Sequence, residues 1–153
     1  MMDRIFMKEI FNMNIEERYK DILTKSEIDF EVTEVEQGKV YKFVNEREDG
    51  LKMLLGAVFN NDNRDVDLQI HSSLGILNPG KRDEILGIMN KLNNSYRYGK
   101  LILLDDSQII IKDSIALLDE SFDYSQTILQ TLLLLYKVAE ECFPSFYEYR
   151  IEQ

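Results

Sequence analysis

Between residues 30 and 70 the chain repeatedly alternates apolar and polar positions in short runs separated by turn-forming residues. Residues 30–36 read as one strand, ending at a turn that contains Gly38. Residues 40–47 read as the next, with Tyr41 and Phe43 on one face. Asp49 and Gly50 then give a strong hairpin signal. In 51–59, Leu51, Met53, Leu55, Ala57 and Phe59 share a face, and after the polar turn 60–64 Val66, Leu68 and Ile70 alternate again. Period-two spacing is the signature of a strand with one buried face. Four such segments joined by short loops predict an antiparallel meander.

Helical spacing brackets this meander. Asn14 can cap a helix and Glu17 can reach back to it, the pattern of a capping box. Ile15, Tyr19, Ile22 and Leu23 follow, so a first helix is expected over 15–26. Met2, Phe6, Ile10 and Met13 continue the spacing towards the N-terminus, where Met1, Met2 and Met7 are all candidate starts. Asn78 and Pro79 suit the start of a second helix, since the missing N–H of proline is harmless in a first turn. Its stripe is Ile85, Met89 and Leu92, with Tyr96 at its end. The third helix is expected from about 123 to 142. Its apolar residues, Val138, Leu135, Ile128, Ala139, Leu132, Tyr136, Leu129 and Leu133, cover an arc of roughly 220°, wider than a usual amphipathic stripe.

Two very apolar strands, 100–104 and 108–112, precede that helix. Pairing Leu104 with Ile109 places Ile102, Leu104, Ile109 and Ile111 on one face, towards the third helix. Leu101, Leu103 and Ile110 then fall on the other face, which lacks the polar alternation of a wet sheet surface. Leu134 lies beside the polar side of the third helix, marked by Gln130, Lys137 and Glu141. Leu101, Leu103, Ile110 and Leu134 are therefore the expected protein interface, because a contiguous exposed apolar patch marks an interaction site. Burying side chains of this size is worth roughly 1.5–3 kcal/mol each before association costs. A homodimer or a stable complex with another protein is expected on this surface, unless the first helix or the N-terminal segment covers it.

The elements predict one α+β domain: an antiparallel sheet with helices mainly on one face, in the order α-β-β-β-β-α-β-β-α. Residues 1–13 form an N-terminal extension, 14–147 the domain and 148–153 a tail.

Length and composition narrow the function classes. A chain of 153 residues buries a real core, and 44% hydrophobic with 30% charged residues is ordinary for a globular domain. No run of 18 apolar residues occurs, and Asp3, Arg4, Lys8 and Glu9 interrupt any signal-peptide stretch, so a cytoplasmic protein with no membrane partner is expected. The formal charge of −10 argues against nucleic acid, whose affinity comes from Lys and Arg neutralising phosphates. Lys81, Arg82, Lys91, Arg97 and Lys100 read as a solvated helix face and its exit. Glu31, Glu34 and Glu36 in the first strand, and Glu46, Glu48 and Asp49 at the hairpin, serve solubility or hold a basic partner.

Asn90 and Asn93 on the second helix, Gly99 and Lys100 at the start of the apolar hairpin, and the long C-terminal helix ending near Glu141 together resemble the YbjN-like family. The resemblance covers 14–146 in element order and 90–141 residue by residue. It implies the fold of type III secretion chaperones and a domain that pairs with itself or binds peptides or proteins. It implies no catalytic residues. Residues 56–73 depart from the family's pattern.

Candidate chemistry is sparse. His71 is the only histidine, beside Ser72 and Ser73, but adjacent strand residues point to opposite faces. Cys142 is the only cysteine, so no intramolecular disulfide is available, and it lies on the apolar arc of the third helix. Asn61, Asn63, Asp65 and Asp67 resemble an oxygen-ligand loop but lack the glycine and terminal Glu of an EF-hand. Asp105, Asp106 and Asp113 read as turn acids, and 75–80 lacks the spacing of a phosphate loop. No catalytic residue, cofactor, metal ligand or small-molecule substrate is inferred. A non-enzymatic protein-binding module, chaperone-like or regulatory, is the first reading. A small acidic inhibitor or immunity-type protein that blocks a basic enzyme surface is the second. An enzyme of unrecognised type is the third.

Overall fold

The computed structural model describes residues 14–151. Helix α1 is Ile15–Lys25, and the Asn14 carboxamide oxygen accepts from the Glu17 N–H at 2.8 Å, as the capping pattern predicts. Strands β1 (Glu31–Val35), β2 (Gly38–Glu46), β3 (Lys52–Asn60) and β4 (Asp65–Ser72) follow as an antiparallel meander. A 3-10 turn at Pro79–Lys81 leads into α2 (Arg82–Ser95). The hairpin β5 (Lys100–Leu103) and β6 (Ile109–Ala116) comes next, then α3 (Ser125–Cys142) and a 3-10 segment, Phe143–Tyr149. The order α-β-β-β-β-α-β-β-α is the expected one. The six strands form one antiparallel sheet, β1-β2-β3-β4-β6-β5. Among the described residues no helix is long and apolar enough to cross a membrane.

The three described helices pack on one face of the sheet. Tyr19 and Leu23 of α1, Ile85 and Met89 of α2, and Ile128, Leu132 and Leu135 of α3 join the inward residues of every strand from β2 to β6 in one core. Tyr19, Tyr41 and Phe59 pack ring against ring, with centroids 5.3–5.9 Å apart. The wide apolar arc of α3 is explained here. The helix touches β3, β4 and β6 on one side, and α1 and the C-terminal 3-10 segment on others. Most of that arc is therefore core, and only Leu133 and Leu134 stay exposed, at 39% and 38%.

The β5–β6 hairpin corrects the expected register. Leu103 pairs with Ile109, Ile102 with Ile110 and Leu101 with Ile111, one residue away from the Leu104–Ile109 pairing. The cause is Ser107, which adopts the left-handed conformation at φ +67°. Its N–H donates to the Leu104 carbonyl at 2.9 Å, while the Leu104 N–H donates to the Gln108 carbonyl at 2.8 Å. This is a three-residue turn with a bulge, not a symmetric loop closing on Leu104 and Ile109. Such a slip moves a strand's side chains to the opposite face. Leu101 and Leu103 thus face the helices with Ile109 and Ile111, and Ile102 faces away with Ile110.

Two further boundaries move. Strand β6 runs on to Ala116 because Lys112–Ala116 pairs with Asp65–Gln69 of β4. The folded unit continues past 147: Tyr149 accepts from the Asn78 N–H at 2.8 Å, and Arg150 bridges to Leu77. The N-terminal extension 1–13 and its Met2, Phe6, Ile10 and Met13 spacing lie outside the described residues.

Candidate functional site

The face of the sheet turned away from the helices is the candidate. No described helix packs on it, and its residues follow from strand alternation and register. Three transverse rows cross it. One carries Val44, Leu54 and His71, then Ile110 and Ile102. The next carries Glu31, Lys42, Gly56, Gln69, Lys112 and Lys100. The third carries Thr33, Val40, Val58, Asp67 and Ser114. Six aliphatic side chains, Val40, Val44, Leu54, Val58, Ile102 and Ile110, therefore flank a basic row.

Their burial is graded. Val58 and Ile110 are each only 4% exposed, yet neither belongs to the helix-side core, whereas Val44 is 58% exposed. Lys42 and Lys112 are half-buried, and no carboxylate oxygen of a described residue lies within 4.0 Å of either ammonium. Lys100 donates to the Asn93 carbonyl at 3.1 Å. Gly56 leaves the middle of the basic row flat. His71 is half-buried, and its Nε2 donates to the Gln69 side-chain oxygen at 2.9 Å. Burial lowers its pKa and the carboxylate of Asp106 opposes that shift. The imidazole is thus neutral near pH 7.

The four residues expected to form an interface do not form one patch. Leu101 is buried in the helix-side core and Leu103 packs against it. Ile110 lies on the open face, and Leu134 on the outer side of α3. The open-face residues that the sequence reading passed over are Ile102, Leu54, Val44, Val40, Val58, Lys42 and Lys112. Their signal was the position opposite each core residue in β2, β3 and β6.

The remaining candidates are engaged locally. The Asn60 amide donates to Asp65 and Asp67, tying the polar turn to β4. Ser73 Oγ accepts from the Lys52 N–H. Asp106 accepts from Gln108, and Asp113 from the Gly99 and Ser114 N–H groups. Asn78 accepts from the Gly80 N–H, and Lys81 pairs with Glu84. Cys142 is buried, and that burial raises its pKa, which disfavours the reactive thiolate. Among the described residues no group of three or more His, Cys, Asp or Glu is placed to hold a metal ion.

A cleft of about 450 Å³ lies between the start of α1 and the loop before α3, lined by Arg18, Asp119, Glu120 and Tyr124 among others. Asp119 accepts from Ser121, and its backbone N–H donates to the Tyr124 hydroxyl. Asp119, Ser121 and Tyr124 are thus bonded to one another. No family model matches the chain, and no curated protein does.

Proposed function

We propose that this chain is a non-enzymatic protein-binding module, chaperone-like or regulatory, that acts by holding a partner protein or by self-association. Its contact surface is the face of the sheet on which no described helix packs. One observation carries the reading: the exposed Val44 and the half-buried Val40, Leu54 and Ile102 share that face with two half-buried lysines that have no carboxylate partner among the described residues. A face of this kind suits an interface with an apolar centre and polar rim. The YbjN-like resemblance points the same way. The reading places the protein in the cytoplasm, without nucleic acid, membrane, cofactor or small-molecule substrate.

The acidic-inhibitor reading draws on a different region. Every residue of β1 is exposed, and Glu31 and Glu34 lie on that edge strand, followed by Glu36. Binding to a basic target through this edge weakens steeply with salt, whereas an apolar face tolerates it. A photo-cross-linking residue placed at Val44 or at Glu34, in the cells that make the protein, separates the two. Capture through Val44 that survives high salt supports the open face. Capture through Glu34 alone, lost in salt, replaces it with the inhibitor reading.

A further inference from the structure

Resting on the protein-binding reading above and adding a second contact surface to it, we infer that the β1 edge takes up an extended segment of a partner protein. That segment carries Lys or Arg opposite Glu31 and Glu34. The two edges of the sheet give the first argument. β1 pairs with β2 alone, and β5 with β6 alone. Alternate residues of a strand turn their N–H and C=O groups to opposite sides, so an edge strand keeps a row of them for a further strand. At β5 the Asn93 side chain takes both groups of Leu101. At β1, among the described residues, no hydrogen bond joins a backbone group of 31–35 to anything but β2. The first such bond lies beyond the strand, where the Asn61 amide donates to the Glu36 carbonyl at 3.1 Å. An uncapped edge is the feature that strand addition uses.

Exposure gives the second argument. Every residue of β1 is exposed, on both faces of the sheet. Val32 stands opposite Tyr41 on the helix side, yet it is 44% exposed where Tyr41 is 4%. Val35, on the other face, is 37% exposed. The described helices thus leave β1 largely uncovered. An added strand covers Val32 and Val35 with its own side chains, since residues directly opposite on paired strands share a face and pack together.

Charge identifies the occupant. Glu31 stands opposite Lys42 and Glu34 opposite Lys39, but no Lys or Arg nitrogen of a described residue lies within 4.0 Å of either carboxylate. The Lys39 ammonium turns to Glu16 instead, at 3.5 Å. A second copy fits poorly. Antiparallel pairing of two β1 strands about Thr33, the register that uses the whole strand, sets the two Glu34 side chains diagonally across the contact. A basic strand brings opposite charge to the same place. An antiparallel addition continues the sheet. Opposite Val35, Glu34, Thr33, Val32 and Glu31 in turn, the segment then reads apolar, basic, any residue, apolar, basic.

The experiment uses labelled synthetic peptides of eleven residues, with Gly and Ser flanking a five-residue core. One core is Val-Lys-Thr-Val-Lys, a second has Glu in place of both Lys, and a third keeps the Lys core with its backbone N-methylated. Fluorescence anisotropy against the full-length protein is expected to show the first binding at least ~10-fold tighter than either of the others, equivalent to ~1.4 kcal/mol. The bound peptide is expected to slow amide exchange in β1. Glu31→Lys with Glu34→Lys reverses the order of the Lys and Glu peptides. If that variant does not fold, Glu31→Gln with Glu34→Gln is expected to remove the preference. Equal binding of the Lys and Glu peptides, a preference untouched by these substitutions, or unaltered exchange in β1 overturns the inference. So does full affinity of the N-methylated peptide, since charge alone would then hold the segment. A wild-type homodimer by light scattering with its β1 amides protected also overturns it and makes a second copy the occupant. If no peptide binds while capture through Val44 in cells persists, the inference falls and the protein-binding reading stands. The expected binding with nothing captured through Val44 upholds the edge and removes the face as a contact surface. Neither binding nor capture overturns both.

Discussion

The two faces of this sheet are made by the same strands and behave as different materials. On the helix side, Met53, Leu55, Leu68, Ile70 and Ile111 are fully buried against α1 and α3. On the other side the intervening residues are Leu54, Gly56, Asp67, Gln69, Ile110 and Lys112, and no described helix covers them. One strand thus encodes two jobs at a period of two. Substitutions on the first face act on stability. Substitutions at the exposed and half-buried positions of the second, such as Val44 and Leu54, are expected to act more on association than on stability.

The sharpest way to break this contrast is a matched pair of truncations. Leu132→Ala, in α3 and fully buried, is expected to cost about 2–5 kcal/mol in chemical denaturation, from lost burial and the cavity left behind. Leu54→Ala on the open face is expected to cost less than about 1 kcal/mol. Equal losses would mean that something covers the open face within the monomer.

A smaller effect is expected at the edge of the sheet. The Asn93 side chain accepts from the Leu101 N–H at 2.8 Å and donates to the Leu101 carbonyl at 3.1 Å. It thereby occupies the outward backbone groups of Leu101 in β5, an edge strand that would otherwise invite pairing with another chain. Asn93→Ala is expected to destabilise by about 1–3 kcal/mol and to speed amide exchange at Leu101. Exchange unchanged at Leu101 would remove this capping role. The opposite edge, β1, carries glutamates instead of a cap.

The pH dependence of stability sharpens the description of the open face. Burial lowers the folded pKa of His71 below its ordinary value near 6.5. On acidification the unfolded chain takes up this proton first. The contribution of His71 is therefore complete above about pH 6.5 and is lost as pH falls towards the folded value. His71→Gln is expected to flatten this part of the profile. An unchanged slope in thermal melts between pH 5 and 7 would mean that the imidazole is as well solvated folded as unfolded.

The smallest effect is expected in the aromatic cluster. The Tyr19 hydroxyl is fully buried and has no hydrogen-bond partner among the described residues. An unsatisfied buried hydroxyl contributes nothing favourable, so Tyr19→Phe is expected to leave stability unchanged or raise it by up to about 1 kcal/mol. Clear destabilisation would indicate a partner for that hydroxyl.

Much of the fold was legible because its signals are local. The Asn14 cap, the Pro79 start, the hairpin at Asp49 and Gly50, and the inward residues of β2, β3 and β4 all follow from neighbours within a few positions. The element order followed from them. The candidate site was not legible in the same way. Its assignment to Leu101 and Leu103 rested on a hairpin register that one residue, Ser107, decides, and no glycine there advertises the left-handed turn. The Ser107 carbonyl accepts from the Leu77 N–H at 2.9 Å, a contact thirty residues away in sequence.

By itself, then, the sequence determined which residues alternate, where helices begin and which side of each meander strand is apolar, since these depend on spacing along one strand or helix. Only the tertiary structure decided that β6 lies between β4 and β5, that α3 consumes most of its wide apolar arc inside the core, and that Lys42 and Lys112 share a row. Those outcomes depend on how distant strands pair. A shift of one residue in that pairing exchanges the two faces, and the energy that selects among registers comes from the packing of the whole core.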